Sequence, residues 1–198
     1  MVARRPVEDI RRDVCSYVEA RCQETAQTIR TGASPSEISE VESTLGVALP
    51  SSFRAYLRCA NGQHDPAGLR DFTGAGRLLS TTDIISAWCM LRDIDTETRS
   101  HTVPELERSP GLTALGPMAP WWRPTLVPFG DCDGNTLCID VDSSGARPSE
   151  EIVWHVHDFG IERGVAPDFH AWLLAVLERL KAGGLRVEPN ATGREPGP

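Results

Sequence analysis

Long apolar runs are missing from this chain of 198 residues. None reaches the roughly 18–20 residues that a membrane-spanning helix needs, so no membrane partner is expected. The opening, MVARRPVEDIRRDV, is basic and then acidic and has no apolar secretory core, so a cytoplasmic location is expected. No CxxC pair occurs among Cys15, Cys22, Cys59, Cys89, Cys132 and Cys138, which argues against a structural zinc site. Without an export signal, the six are expected to be mostly buried, reduced thiols. GxSxG, HExxH, GxxxxGK(S/T) and the kinase signatures are all absent. No motif therefore argues for an enzyme, and no cofactor is implied.

Positive charge is also in short supply. Lys and Arg number 20 against 28 Asp and Glu, a net charge of −8. Such a chain repels nucleic-acid phosphates, so nucleic acid is not an expected partner. The imbalance is local. Residues 1–82 hold 10 acids and 10 bases, and residues 83–198 hold 18 and 10. Within 131–168 nine acids face only Arg147 and Arg163. That segment suits a basic protein partner, although the same surplus also serves solubility alone.

What is present is ordinary for a soluble globule: 40% hydrophobic and 24% charged residues. The length fits one domain with a real core. Val7, Ile10, Val14, Tyr17, Val18 and Ile29 predict an amphipathic helix over 7–30, ended by Gly32. Ser34, Pro35 and Glu37 form a capping-box start, with Ile38, Val41 and Leu45 as the stripe and Gly46 as the stop. Leu49-Pro50 opens another helix through Phe53, Tyr56, Leu57 and Ala60, with Asn61-Gly62 read as its left-handed cap. Residues 63–77 read as a loop. Gly74-Ala75-Gly76 lacks the remainder of a phosphate-binding fingerprint and is read as a turn. Leu78-Leu79 is a candidate short strand, and Thr81 or Thr82 the cap of a helix through Ile84, Trp88 and Leu91. Residues 100–124 hold five prolines and read as irregular. Adjacent Trp121 and Trp122 cannot both face inward on one strand, so at least one is a candidate contact residue.

The last third reads as a sheet. Leu126 to Phe129, Thr136 to Asp142 and Ile152 to His157 are candidate strands, joined by turns at Asp133-Gly134 and at 143–149. Cys138, Asp140 and Asp142 alternate with Leu137, Ile139 and Val141, which predicts a meander with one wet face. Pro167 opens a closing helix through Phe169, Trp172, Leu173, Val176, Leu177 and Leu180, ended by Gly183-Gly184. His155 and His157 share a strand face and, with Asp131, Asp133 or Asp158, could ligate a metal. The competing reading is two half-exposed, hydrogen-bonded histidines and no metal. The DCDGN turn fails the calcium-loop spacing, since Gly134 is fourth and position twelve is Asp142.

Four segments in order resemble the SUKH superfamily of Smi/Knr-type regulators and bacterial immunity proteins. They are SPSEISEVESTLGVALPSSFRAYLRCANGQ (34–63), LVPFGDCDGNTLCIDVD (126–142), EIVWHVHDFG (151–160) and DFHAWLLAVLERL (168–180). The resemblance implies an α+β fold, a mostly antiparallel sheet flanked by helices. It divides the chain into a helical extension (1–33), the family-like domain (34–181) and a flexible tail (182–198). It implies a non-enzymatic binding role. Bacterial members look like immunity proteins that neutralise toxins, often nucleases, and fungal members like regulators of cell-wall assembly. On the immunity reading Asp131, Asp133, Asp140, Asp142, Trp121 and Trp122 are the expected contact residues.

Overall fold

A computed structural model describes residues 4–64, 71–106, 121–142, 144 and 150–184, with only the backbone for 99–106. The 143–149 turn (apart from Ser144), the tail from 185 and most of the proline-rich stretch lie outside the described residues. The helices are α1 (Val7–Glu19), α2 (Gln23–Thr28), α3 (Pro35–Leu45), α4 (Ser51–Cys59), α5 (Thr81–Leu106) and α6 (Phe169–Lys181). The strands are β1 (Arg77–Leu78), β2 (Leu126–Cys132), β3 (Asn135–Asp140), β4 (Glu151–Val156) and β5 (Gly160–Ala166). They form one antiparallel sheet in the order β1-β2-β3-β4-β5, a meander. The fold is α+β, as the sequence implies.

Local signals explain the helix ends. The Ser34 hydroxyl accepts the Glu37 amide at 3.3 Å, and the Glu37 carboxylate accepts the Ser34 amide at 2.7 Å. This capping box and left-handed Gly46 bound α3. Glu42 sits mid-helix for a reason outside the helix: its carboxylate accepts the Leu49 amide at 2.8 Å and so orders the step into α4.

Several expectations are corrected. The 7–30 helix is two helices, because the chain breaks after Ala20 and restarts from extended Cys22. The irregular stretch begins later than read, since α5 runs past Pro104 to Leu106. Ser80, not Thr81 or Thr82, caps α5 by trading hydrogen bonds with Asp83. Asn61-Gly62 does not cap α4, which ends in extended Ala60. Asn61 instead accepts the Thr81 amide at 2.7 Å at the start of α5. Gly62, at φ +69°, lets two backbones touch; a Cβ there would lie 2.4 Å from the Ser80 nitrogen. Gly62→Ala should therefore cost about 1–3 kcal/mol, from the clash and the left-handed φ together. Urea melts of the two proteins test this, and equal midpoints would refute it. Of the six cysteines, all free, only Cys22 and Cys138 are buried, and the other four are half-buried.

The largest correction concerns the sheet. It has no wet central face. Five consecutive residues of β3 are buried, Thr136 through Asp140, and consecutive strand residues point to opposite faces. On one face Phe129 packs against Phe53, Phe169 and Trp172. On the other lie Thr136, Cys138, Asp140 and His155, with Trp122 at 1% exposure over His155. A fifth strand, unread in the sequence, closes the sheet. Its bulge opposite Val153 and its Gly164 at φ +85° interrupt the free edge, an arrangement that resists pairing with another chain. Before residue 34, α1 buries Val7, Ile10, Val14 and Val18 in the same core as the sheet. Arg4 ties it to α6 through Asp168 and His170.

Candidate functional site

Two turns bring the informative residues to one end of the sheet. Asp133 and Gly134, at φ +50° and +86°, form the two-residue loop between Cys132 and Asn135. Both left-handed residues are what a tight hairpin with native strand twist demands, and Asp-Gly supplies them. The β4–β5 turn is His157-Asp158-Phe159, closed by the Phe159 amide on the Val156 carbonyl and by Gly160 at φ +83°. The two turns touch. The Asn135 side-chain Oδ1 accepts the His157 amide at 3.2 Å and lies 3.1 Å from its Nδ1. His157 Nε2 stands 3.1 Å from Asp158. The Trp121 indole donates to the His157 carbonyl at 2.9 Å.

The surface so built is acidic with an apolar tip. Asp131, Asp133 and Asp158 are exposed, and Asp131 has only a loose pairing to Arg77 at 3.5 Å. Phe159 is 82% exposed, the most exposed of the large hydrophobic side chains among the described residues. Burying such a phenyl ring against a partner would release about 2–3 kcal/mol. Interfaces carry aromatic residues at their core and a polar rim, and this end of the sheet offers both an exposed aromatic and carboxylates.

The expected contact residues divide. Asp131 and Asp133 lie on this surface. Trp121 is half-buried beside it. Trp122 is correctly paired with Trp121 in sequence but is interior, so it presents no surface. Asp140 is not outward: it is fully buried at the opposite end of β3. Its carboxylate accepts Arg123 at 2.7 Å, Arg163 at 2.9 Å and the Thr125 hydroxyl at 3.1 Å. Arg163 also pairs with Glu151, whose carboxylate accepts the Gly164 amide. Asp142 is half-buried and accepts the Ser144 amide. Phe159 and Asp158 also lie on this surface and are not among the expected contact residues. The available signal was Phe159 in a turn, where polar residues are the rule.

The histidine pair does not form a joint site. β4 stops at Val156, so His157 belongs to the turn and faces solvent, while His155 is inside the sheet. Among the described residues no three His, Cys, Asp or Glu side chains converge as a ligand set. Among the described residues neither ring nitrogen of His155 has a hydrogen-bond partner. Burial holds its pKa down at about 4, with the Trp121 carbonyl the next largest influence and pulling the other way, short of hydrogen-bond geometry. Cys138, on the same face, has its pKa raised by burial and by Asp140, which makes it a poor nucleophile. Among the described residues no helix is long and apolar enough to cross a membrane.

Comparison with known proteins agrees with this architecture. The model of the SMI1 / KNR4 family (SUKH-1) matches residues 32–175, well over half of the chain, and the chain belongs to that family. No curated protein matches it significantly.

Proposed function

We propose that this SMI1/KNR4 (SUKH-1) chain is a non-enzymatic protein-binding module of the immunity type, which neutralises a toxin domain by covering it. The observation that carries the reading is Phe159, left 82% exposed on a turn framed by Asp131, Asp133 and Asp158. Exposure of that ring costs the free protein and is recovered on docking. The partner is a basic protein, whose approach the carboxylates steer. A nuclease fits that charge, because its own phosphate-binding surface is cationic.

The test is capture of partners from lysate of the native host at low and then moderate salt, followed by binding measurements on the purified pair. One dominant basic partner is expected. Phe159→Ala should weaken it about 30-fold, the loss of a central anchor worth about 2 kcal/mol. Asp133→Asn with Asp158→Asn should slow association and flatten its salt dependence. Several weak cell-wall or signalling partners, indifferent to these changes, would replace this reading with a regulatory scaffold.

A further inference from the structure

The most anomalous group in the molecule is His155. It has no exposed surface, and among the described residues both its ring nitrogens lack partners. Buried polar groups are nearly always satisfied, so two orphaned nitrogens on one ring call for a reason. Trp121 and Trp122 meet the imidazole at steep angles, with ring centroids 4.4 and 5.3 Å away. Trp121 is also attached to the surface. Its indole holds the His157 carbonyl, and its backbone lies against Gly160, where an added Cβ would sit 3.6 Å from the Trp121 Cα. One side chain thus rests on the buried histidine and grips the turn that carries Asp158 and Phe159.

A neutral imidazole is tolerated there, and an imidazolium is not. The charged ring needs two acceptors, and among the described residues neither nitrogen has a partner in hydrogen-bond geometry; the Trp121 carbonyl, short of that geometry, is the main group that favours the charged form. Its surroundings do little to offset this. The cross-strand neighbours Thr136 on β3 and Ile161 on β5 are uncharged. Asp95 of α5 favours the charged form, and His157 opposes it. Burial is the largest influence. The ring is reached by water most directly if Trp121 swings away, which breaks its indole hydrogen bond to His157, its contact with the imidazole and its packing against the core edge.

We propose that His155 is an acid-sensitive latch whose protonation releases Trp121 and, with it, the 157–160 turn, so that the binding end of the sheet is dismantled at low pH. Its use in letting a partner go rests on the function proposed above. The latch itself does not.

The sign follows from the two states. The folded site prefers the neutral ring, with a pKa of about 4 against an ordinary 6.5. The latch is therefore shut above about pH 6.5 and loosens as the pH falls toward 4. Between pH 7.5 and pH 5 the opening equilibrium of the turn should rise about 30-fold, the ratio of the two titrations.

The experiment is a pH series by NMR on the full chain. It follows the Trp121 indole resonance, assigned with Trp121→Phe, and the amide exchange of residues 157–161. In the wild type both should change reversibly, with α3 and α6 still protected. In His155→Phe the protection factors of these amides, which are the exchange rates divided by their intrinsic values at each pH, should move less than about 2-fold over the same range. The latch is overturned if the Trp121 signal is unmoved down to pH 4, or if the helices are lost at the same midpoint. Equal opening in His155→Phe overturns it too. The wild-type imidazole titration decides independently, should that variant fold poorly: a ring that titrates near its ordinary value refutes the latch. No partner enters these readouts. Failure to capture one at neutral pH would strike the binding role and leave the latch to be decided here.

Discussion

Asp140→Ala should destabilise the protein by about 3–5 kcal/mol, the usual cost of removing one partner from a buried ion pair. The carboxylate is fully buried and joins three distant points of the chain: Arg123, Thr125 and Arg163. Arg123 is itself mostly buried, with 14% of its side chain exposed. Without Asp140 its charge is stranded, and Arg163 keeps only Glu151. A typical domain is stable by only about 5–15 kcal/mol, so the variant should melt early or express poorly. Urea unfolding at neutral pH measures it, and a loss under 1 kcal/mol would refute the account. Replacing Asp140, Arg123 and Arg163 together by apolar residues should recover much of the loss, because no lone charge then remains. The same reasoning forbids Asp140 substitutions as probes of partner binding, since they would report folding.

Phe169→Ala should cost a similar amount, about 3–5 kcal/mol, through a cavity at the centre of the core. Phe169 is the hub of the aromatic cluster. Its ring lies 4.9 Å from Phe53, 5.2 Å from Tyr56, 5.4 Å from Phe129 and 5.4 Å from Trp172. These rings come from α4, β2 and α6, so the void cannot be closed by moving one side chain. The midpoint of urea unfolding should fall with the slope unchanged. A loss under 1 kcal/mol would mean that the surrounding rings collapse into the gap and that this core is more plastic than its packing implies.

Features written in short stretches of chain were legible in the sequence. The Ser34–Glu37 box, the Gly46 stop, the Asp133-Gly134 hairpin and the Phe169–Leu180 stripe each depend on neighbours a few residues away, and each is where the sequence places it. What escaped depends on distant partners. Alternation along β3 ordinarily means a wet polar face. Here Asp140 is covered because Arg123, 17 residues earlier, and Arg163, 23 later, arrive to neutralise it. The one clue was that Arg163 is nearly the only cation in an acidic stretch. β5 carries Glu162, Arg163 and Gly164 without alternation, since an interrupted edge strand pairs on one side and has no apolar face to maintain. Of the acidic candidates, Asp131 and Asp133 do lie at the hairpin end, since turn residues have few ways to be buried. Phe159 belongs to no periodic pattern, and its exposure is visible only in the folded structure.

The clasp between the first and last helices has a consequence for how the chain reaches its fold. Arg4 meets Asp168 and His170, partners 164 and 166 positions away, and α1 spreads its apolar stripe into the core that α6 completes. During synthesis, at about 5–20 residues per second, the ribosome needs on the order of ten seconds or more to release the final helix. Until then the hub phenylalanine is missing from between α4 and β2, and the α1 stripe lacks part of its cover. α1 is thus made well before the helix that secures it. Closing so large a loop adds to the entropy that must be lost before its contacts form, which slows the final step of assembly.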